Sequence, residues 1–136
     1  MADIEFIDNS MVVKRNIFDK IGAFLLEASG ELISQTARNS RVKTGQTKNS
    51  FQASVDEAEG IAYIGSNYEN AIWEEFGTGL YALNGDGRKN VPWFYYDQEG
   101  NLHKTFGKHP TRAFWNAYNQ LQGKIKEMAE RVLSEL

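Results

Sequence analysis

The sequence predicts an α+β fold in a single domain, because apolar residues at helical spacing lie near both ends of the chain and strand-like runs lie between them. The helical patterns occupy residues 10–39 and the region after Pro110, and the strand-like runs occupy 51–56, 61–64, 93–96 and 102–106. A length of 136 residues suits one domain. We therefore expect an antiparallel sheet packed by a long N-terminal helix and a C-terminal helix, with a short helix and a long mobile loop inserted.

The composition excludes several classes of protein. Hydrophobic residues make up 41% of the chain and charged residues 24%, which is typical of folded domains and argues against wholesale disorder. The absence of cysteine excludes disulfides, thiol chemistry and zinc–cysteine sites. No run approaches the ~20 apolar residues of a membrane span, and residues 1–9 lack the apolar core of a signal peptide. We expect a chain that is made in the cytoplasm and does not enter a membrane.

The first predicted helix runs from Ser10, a suitable N-cap, to about Asn39. Gly22 and Gly30 inside it each destabilise a helix by up to about 1 kcal/mol relative to alanine, unless they mark the close approach of another backbone. Its apolar stripe recurs at intervals of three and four: Ile17, Ile21, Phe24, Leu25, Ala28 and Leu32.

A hairpin and a short helix are predicted next. Residues 51–56 alternate in polarity, as a half-buried strand does, whereas the continuous apolar run 61–64 favours a strand covered on both faces. Asn67 is a candidate N-cap for a helix that begins at Tyr68 and ends at Gly77. We expect one face of that helix to lie on the sheet: Tyr68, Ile72 and Phe76.

Residues 77–92 are rich in glycine, asparagine and charge, which indicates a long mobile loop without structure of its own. A second hairpin follows, turned at Gly100, and its aromatic run 93–96 cannot all face one core. We therefore predict an interface with another molecule in this part of the chain. Its candidate residues are Leu80, Tyr81, Leu83, Arg88, Lys89, Trp93, Phe94 and Tyr95.

Pro110 is expected in the first turn of the last helix. The apolar stripe of that helix most simply covers the sheet, and a coiled-coil pairing with another chain is the alternative. The stripe consists of Phe114, Tyr118, Leu121, Ile125, Met128 and Val132.

Charge is unevenly distributed along the chain, although the net charge is only −3. Residues 38–51 carry only positive charges, residues 52–86 only negative ones, and residues 88–112 are again mostly positive. One interpretation is a polarised surface whose positive edge meets the negative edge of a neighbouring copy. The other is a set of solvated faces whose signs alternate by chance.

No catalytic constellation, cofactor site or metal site is predicted. His103 and His109 are the only histidines, and they fit a hairpin surface and a helix flank better than a metal site. Residues 84–87 resemble the start of a calcium loop but lack its later ligands. Glu74 and Glu75 are adjacent and must point to different sides of a helix, which argues against a shared acid–base site.

Nucleic-acid binding is the second functional class that the sequence leaves open. A cluster of cations could face the phosphate backbone of DNA: Arg38, Arg41, Lys43 and Lys48. The acidic balance of the whole chain argues against a dedicated nucleic-acid-binding domain, so the alternative is a small regulatory protein or loose contact with passing DNA.

Motifs in three stretches resemble a family of phage neck or tail-completion proteins, also called head–tail joining or minor tail proteins, of long-tailed double-stranded DNA phages. The stretches are V-K-T-G-Q-T-K-N-S-F at 42–51, Y-I-G-S-N-Y-E-N-A-I-W-E-E-F-G-T-G at 63–79 and G-K-H-P-T-R-A-F at 107–114. The resemblance covers most of the chain in the expected order.

This resemblance implies a virion structural protein without catalytic activity or cofactor. It further implies an α+β fold and a homo-oligomeric ring, expected to be hexameric, at the neck between the DNA-filled head and the tail. Other neck or tail proteins would be its partners, and it would assemble in the cytoplasm of the bacterial host. The sequence does not separate a head-side adaptor from a tail-side terminator.

Overall fold

The computed structural model describes residues 7–41 and 45–136. These residues form helices α1 (Ser10–Asn39), α2 (Asn70–Phe76) and α3 (Ala113–Ser134), and strands β1 (Phe51–Asp56), β2 (Ile61–Ser66), β3 (Trp93–Tyr96) and β4 (Leu102–Thr105). The strands pair as two separate antiparallel hairpins, β1–β2 and β3–β4. The predicted α+β class is confirmed, with the long N-terminal helix packed against the C-terminal helix.

Helices α1 and α3 form an antiparallel pair at the centre of the fold. At one end the Asn39 Nδ2 donates to the Ala113 carbonyl oxygen (3.1 Å), and at the other the Lys20 Nζ donates to the Glu135 carbonyl oxygen (2.8 Å). The apolar stripe of α3 packs mainly on α1, so the prediction that it covers the sheet is wrong for most of its length. Phe114 is the residue that reaches the first hairpin, where its ring stacks on that of Phe51 with centroids 6.1 Å apart.

Small side chains occupy the tightest part of this pair. Ser29 and Thr36 on α1 and Ala117 on α3 are almost completely buried, which lets the two backbones approach closely. The Thr36 hydroxyl donates to the Leu32 carbonyl oxygen (2.7 Å), so its polarity is satisfied within the helix. Among the described residues, the buried apolar side chains are mostly alanines, and the core is correspondingly thin.

The β1–β2 hairpin packs on α1, with Phe51 opposite Ser66 and Asp56 opposite Ile61. A Cβ atom on Gly22 would lie 2.5 Å from the Glu57 Oε1, so a larger residue there would push the exposed Glu57 side chain aside. The predicted close approach at Gly22 is therefore made by a side chain, and Gly30 has no such neighbour within 4 Å.

Some local predictions are wrong. Strand β2 is covered on one face only, since burial alternates along it and Tyr63 is exposed. Helix α2 begins at Asn70 and has no side-chain cap, because Asn67 leaves the turn to Ser66, whose Oγ accepts the Tyr68 N–H (3.1 Å). Pro110 lies ahead of α3 and not in its first turn.

Residues 77–92, predicted to lack structure of their own, contain one turn of 3-10 helix at Gly79–Tyr81. The Leu83 N–H donates to the Phe76 carbonyl oxygen (2.8 Å), which ties the loop back to the end of α2. Gly77 ends α2 as predicted, with a positive φ of 77°. The predicted turn at Gly100 also has a positive φ, 84°.

Candidate assembly interface

Helix α2 holds the start of α3 through the side chain of Glu75. The backbone N–H of Phe114 donates to the Glu75 Oε2 and that of Trp115 donates to the Oε1, both at 3.0 Å. The residue that precedes α3, Arg112, has a left-handed backbone with φ 57° and gives no side-chain cap. A carboxylate that accepts the free N–H groups at a helix N-terminus is favourable for both hydrogen bonding and the helix dipole. Glu75 therefore caps α3 from another helix.

The neighbouring Glu74 binds the segment just before α3. Its carboxylate accepts hydrogen bonds from the Lys108 Nζ (2.5 Å) and the Thr111 Oγ1 (2.9 Å), and the Arg41 guanidinium lies 3.8 Å away. Burial alone would raise the pKa of Glu74, but these hydrogen bonds and positive charges outweigh it and hold the pKa below its usual value. The two adjacent glutamates bind different partners but both face residues 108–115 and line one cavity, so the prediction that they point to different sides of the helix is wrong.

The glycines that follow α2 allow two backbones to lie against each other. The Thr78 N–H donates to the Lys108 carbonyl oxygen (2.9 Å), and the Lys108 N–H donates to the Thr78 Oγ1 (2.8 Å). Gly79 has φ 59°, and a Cβ atom on it would lie 2.5 Å from the Phe106 carbonyl oxygen. No other residue fits at this position without moving its neighbours.

Residues from all three stretches that carry the resemblance meet around α2. Besides the contacts to residues 108–114, the Tyr68 hydroxyl donates to the Gln46 Oε1 (2.7 Å). The hydroxyls of Ser50 and Ser66 lie 2.5 Å apart and share a hydrogen bond. Motifs far apart in sequence are therefore one connected structural unit.

The outer face of α2 is not covered. Ala71 is the buried residue of the helix, whereas Ile72 is 57% exposed and Trp73 and Phe76 are also exposed, so the prediction that Ile72 and Phe76 lie on the sheet is wrong. Ile72 and Phe76 lie between two open grooves. One is also lined by Trp115, the other by Trp73 and residues of the 77–93 segment. We call Ile72, Trp73, Phe76 and Trp115 the α2 surface.

A single cation lies over part of this aromatic surface. The Arg112 guanidinium is 5.4 Å from the centroid of the Phe76 ring and 5.2 Å from that of the Trp115 ring. Such cation–π contacts stabilise a solvent-exposed arginine by roughly 0.5–1 kcal/mol. They leave the outer edges of both rings open to another molecule.

The residues predicted at the interface divide into exposed and engaged groups. Tyr81 stacks on His109 with centroids 3.7 Å apart, the Arg88 guanidinium lies 5.1 Å from the Trp93 ring, and the Lys89 Nζ donates to the Gly85 carbonyl oxygen. The large apolar side chains that remain exposed are Leu80, Leu83, Phe94 and Tyr95.

The β3–β4 hairpin presents an apolar outer face. Its register places Phe94 opposite Lys104 and Tyr96 opposite Leu102, so these side chains share one face. Phe94 is 61% exposed, and Tyr96 and Leu102 are exposed as well. An isolated two-stranded hairpin is marginally stable in water, so a partner on this face would stabilise it.

The other face of that hairpin accounts for His103. Its ring stacks on Tyr95 with centroids 5.1 Å apart, and its Nε2 lies 2.7 Å from the Asp97 Oδ2. The hydrogen bond to His103, followed by one from the Asn101 N–H, lowers the pKa of Asp97 to about 2. His103 and Asp97 therefore hold the hairpin turn together.

Sequence reasoning missed an exposed apolar group at the start of α1. Met11 is 82% exposed, Val12 61%, and Val13 is exposed too. Leu133 and Leu136, at the end of α3, are exposed at the same end of the helix pair. The signal was available in the sequence, because three consecutive apolar residues cannot belong to one helical stripe.

The proposed DNA-facing cations do not act as one free group. Arg38 donates to the Gln35 Oε1 (2.8 Å), and Arg41 donates to the His109 carbonyl oxygen (2.9 Å) in addition to facing Glu74. Lys48 is half-buried, and Lys43 lies outside the described residues.

The total accessible surface is large for the mass of the chain. The chain exposes 10055 Å². A compact monomer of 15.4 kDa is expected to expose about 7,200 Å², so the excess is about 2,900 Å². The exposed apolar side chains described above contribute to this excess, and they are suited to burial against another molecule.

Within residues 7–41 and 45–136, no cluster of three or more acidic or histidine side chains could hold a metal ion. None of the described helices combines the length and apolarity needed to cross a membrane. Comparisons with protein-family models, curated proteins and solved structures find no match to the chain.

Proposed function

We propose that the protein is a structural subunit of a phage virion that assembles into a ring, completes the tail and joins it to the DNA-filled head. It acts at the neck or the head-proximal end of the tail, after assembly in the host cytoplasm with other neck or tail proteins. The proposal gives the chain no catalytic role. Its partners are further copies of the chain and the tail or connector on which the ring sits.

The large accessible surface of the chain, together with its exposed apolar side chains, is the observation that carries the assembly role. A stable protein–protein contact buries about 800 Å² on each partner, and an excess of about 2,900 Å² accommodates more than one such contact. A subunit of a closed ring needs two contacts with its neighbours and a third with the structure beneath it.

The phage assignment depends on the resemblance, and the packing around α2 is consistent with it. Glu75, Gly77 and Thr78, which match the family pattern, position the start of α3 and the loop through the contacts described above. These contacts explain the residue types in the motif, because replacing any of the three residues would disturb the junction between α2, the loop and the start of α3. The nucleic-acid alternative receives no comparable support, since Arg38 and Arg41 are already engaged within the chain.

The proposal is tested by mixing the purified protein with tails, and separately with DNA-filled heads, from particles that lack it. Rings at the head-proximal end of the tail, followed by recovery of infectious particles when heads are added, are expected. Binding to heads alone would place the protein at the connector instead. Binding to neither, together with steeply salt-dependent binding to DNA, would refute the joining role.

A matched pair of variants tests whether the exposed loop takes part. Leu83→Asp places a charge on an exposed apolar position, and Asn90→Asp places the same charge on a residue of the same loop that is polar and exposed. We expect Leu83→Asp to reduce the recovery of joined particles and Asn90→Asp to behave as wild type, with unchanged circular dichroism for both. Equal recovery with the two variants would remove Leu83 from the interface.

A further inference from the structure

We infer that copies of the chain join head to tail, with the start of α1 of one copy seated on the α2 surface of the next. We call residues 10–16 the α1 tip. This inference rests on the proposed assembly role and specifies the contact through which assembly occurs. The partner is therefore a second copy of this chain.

The α1 tip is a helix end that is apolar around much of its circumference. Consecutive residues of an α-helix point about 100° apart, so Met11, Val12 and Val13 together span about 200°. All three are exposed, and residues 10–16 are exposed throughout. Exposed apolar side chains grouped in this way are suited to burial against another protein.

The tip cannot reach the α2 surface of its own chain. The tip lies near the C-terminal end of α3, where Lys20 binds Glu135, whereas α2 caps the N-terminal end of α3 through Glu75. The 22 residues of α3 separate these ends by about 33 Å. Two different apolar surfaces at opposite ends of one subunit favour a head-to-tail contact, which forms a ring when its rotation closes.

Both surfaces are exposed and flanked by open grooves. At the tip, one groove is lined by Met11 and Val12 and another by Val13 and Leu136. The α2 surface is concave on both flanks, since one groove separates Ile72 and Phe76 from strand β2 and Trp115, and another separates them from Trp93. A helix entering an apolar groove is a common mode of protein recognition.

The excess accessible surface of each copy is large enough for the two contacts that a head-to-tail ring requires. In a head-to-tail ring each copy uses its tip once and its α2 surface once, so two contacts of about 800 Å² would bury about 1,600 Å² per copy. This lies within the excess of about 2,900 Å². The remainder includes the outer face of the β3–β4 hairpin, which is left for a different contact.

Cysteine cross-linking tests the pairing directly, because the natural chain has no cysteine. Three single variants are made: Val12→Cys in the tip, Ile72→Cys in the α2 surface, and Ser34→Cys at an exposed position of α1 away from both. Each is treated alone and in every pairwise mixture with a short bismaleimide, and products are separated by denaturing electrophoresis. We expect a strong dimer band only when the tip and α2 variants are mixed.

Dimers from either end variant alone, at the level of the mixture, would show a two-fold symmetric contact and overturn the inference. An equal yield of cross-linked dimer in mixtures that contain Ser34→Cys would also overturn the inference. The same holds if no mixture gives a cross-link at the highest soluble concentration. These results do not depend on heads or tails. Cross-linking as expected without binding to tails would support the inferred contact and refute the proposed function. Binding to tails without the expected cross-link would support the proposed function and refute the inferred contact.

A second measurement uses complementary defects. Val12→Asp and Ile72→Asp are both exposed substitutions, and each is expected to weaken self-association about 30-fold or more, the effect of losing a central contact. Mixed together they retain one intact pair of surfaces, so sedimentation should show a heterodimer that does not grow further. Self-association of Val12→Asp at wild-type strength would contradict the inference.

Discussion

Replacing Glu75 by alanine should destabilise the fold by removing the cap that α2 provides to α3. The substitution leaves the N–H groups of Phe114 and Trp115 without the carboxylate that accepts them, at 3.0 Å each. Trp115 is half exposed, and water can replace its partner. Phe114 is more buried, so water replaces the partner of its N–H less readily and the lost hydrogen bond lowers the free energy of unfolding more. Arg112, at the N-cap position, gives this helix no side-chain cap of its own.

The expected loss is about 2 kcal/mol, at the upper end of the range for an N-cap, because the lost acceptor is charged and lies at the positive end of the helix dipole. For a chain of this length, that corresponds to a fall in melting temperature of roughly 6–10 °C. Glu75→Gln keeps one acceptor oxygen and loses the other acceptor and the charge, so an intermediate loss of about 1 kcal/mol is expected.

Urea unfolding followed by circular dichroism measures these differences. All variants must be compared at the same protein concentration, since self-association adds to apparent stability. Glu69→Gln is the matched control, because Glu69 is an exposed glutamate just before α2, the helix that carries Glu75. Its free energy of unfolding should stay within about 0.5 kcal/mol of wild type. A Glu75→Ala variant as stable as this control would refute the capping role.

Further predictions concern a glycine and a hairpin turn. Gly79→Ala should destabilise by more than about 2 kcal/mol in thermal unfolding, because its φ is positive and its Cβ would meet the Phe106 carbonyl oxygen at 2.5 Å. Gly30→Ala, with no neighbour within 4 Å, should instead stabilise by up to about 1 kcal/mol, and a similar loss in both variants would contradict the steric reasoning. The pKa of Asp97 is lowered from 3.8 to about 2, so its contribution to stability is present above about pH 4 and is lost as the pH falls toward 2. The stability difference between wild type and Asp97→Asn, measured by urea unfolding, should therefore be largest above pH 4 and shrink below it; a difference independent of pH would exclude the hydrogen bond with His103 as its cause.

Local patterns predicted the elements of the fold well. Helix α1 and both hairpins were found from periodicity and turn residues, because each depends on contacts between residues close in sequence. The start of α2 was misplaced because its first turn is fixed by Ser66, whose hydroxyl binds the Tyr68 N–H and Ser50. That role of Ser66 depends on the β1–β2 pairing, which a local pattern does not contain.

The candidate interface was predicted only in part. Leu80, Leu83, Phe94 and Tyr95 are exposed as an interface requires, but whether they contact a partner remains a prediction. Ile72 and Phe76 were assigned to the interior because helical spacing shows that two residues share a face and not which way that face points. Glu74 and Glu75 set this direction. Their hydrogen bonds to the start of α3 and the segment before it hold the face of α2 that carries them inward, so Ile72 and Phe76, on the other face, point outward.

The sequence by itself therefore determined the α+β class, the order of the helices and strands, and the positions of the glycine turns, because all of these follow from local periodicity and backbone conformation. The tertiary structure alone decided that the two hairpins do not join into one sheet and that α2 turns its apolar residues outward. It also decided that this outward face of α2 lies at the end of the α1–α3 pair opposite to the start of α1. These features depend on hydrogen bonds and packing between residues dozens of positions apart, and no local pattern in the sequence encodes them.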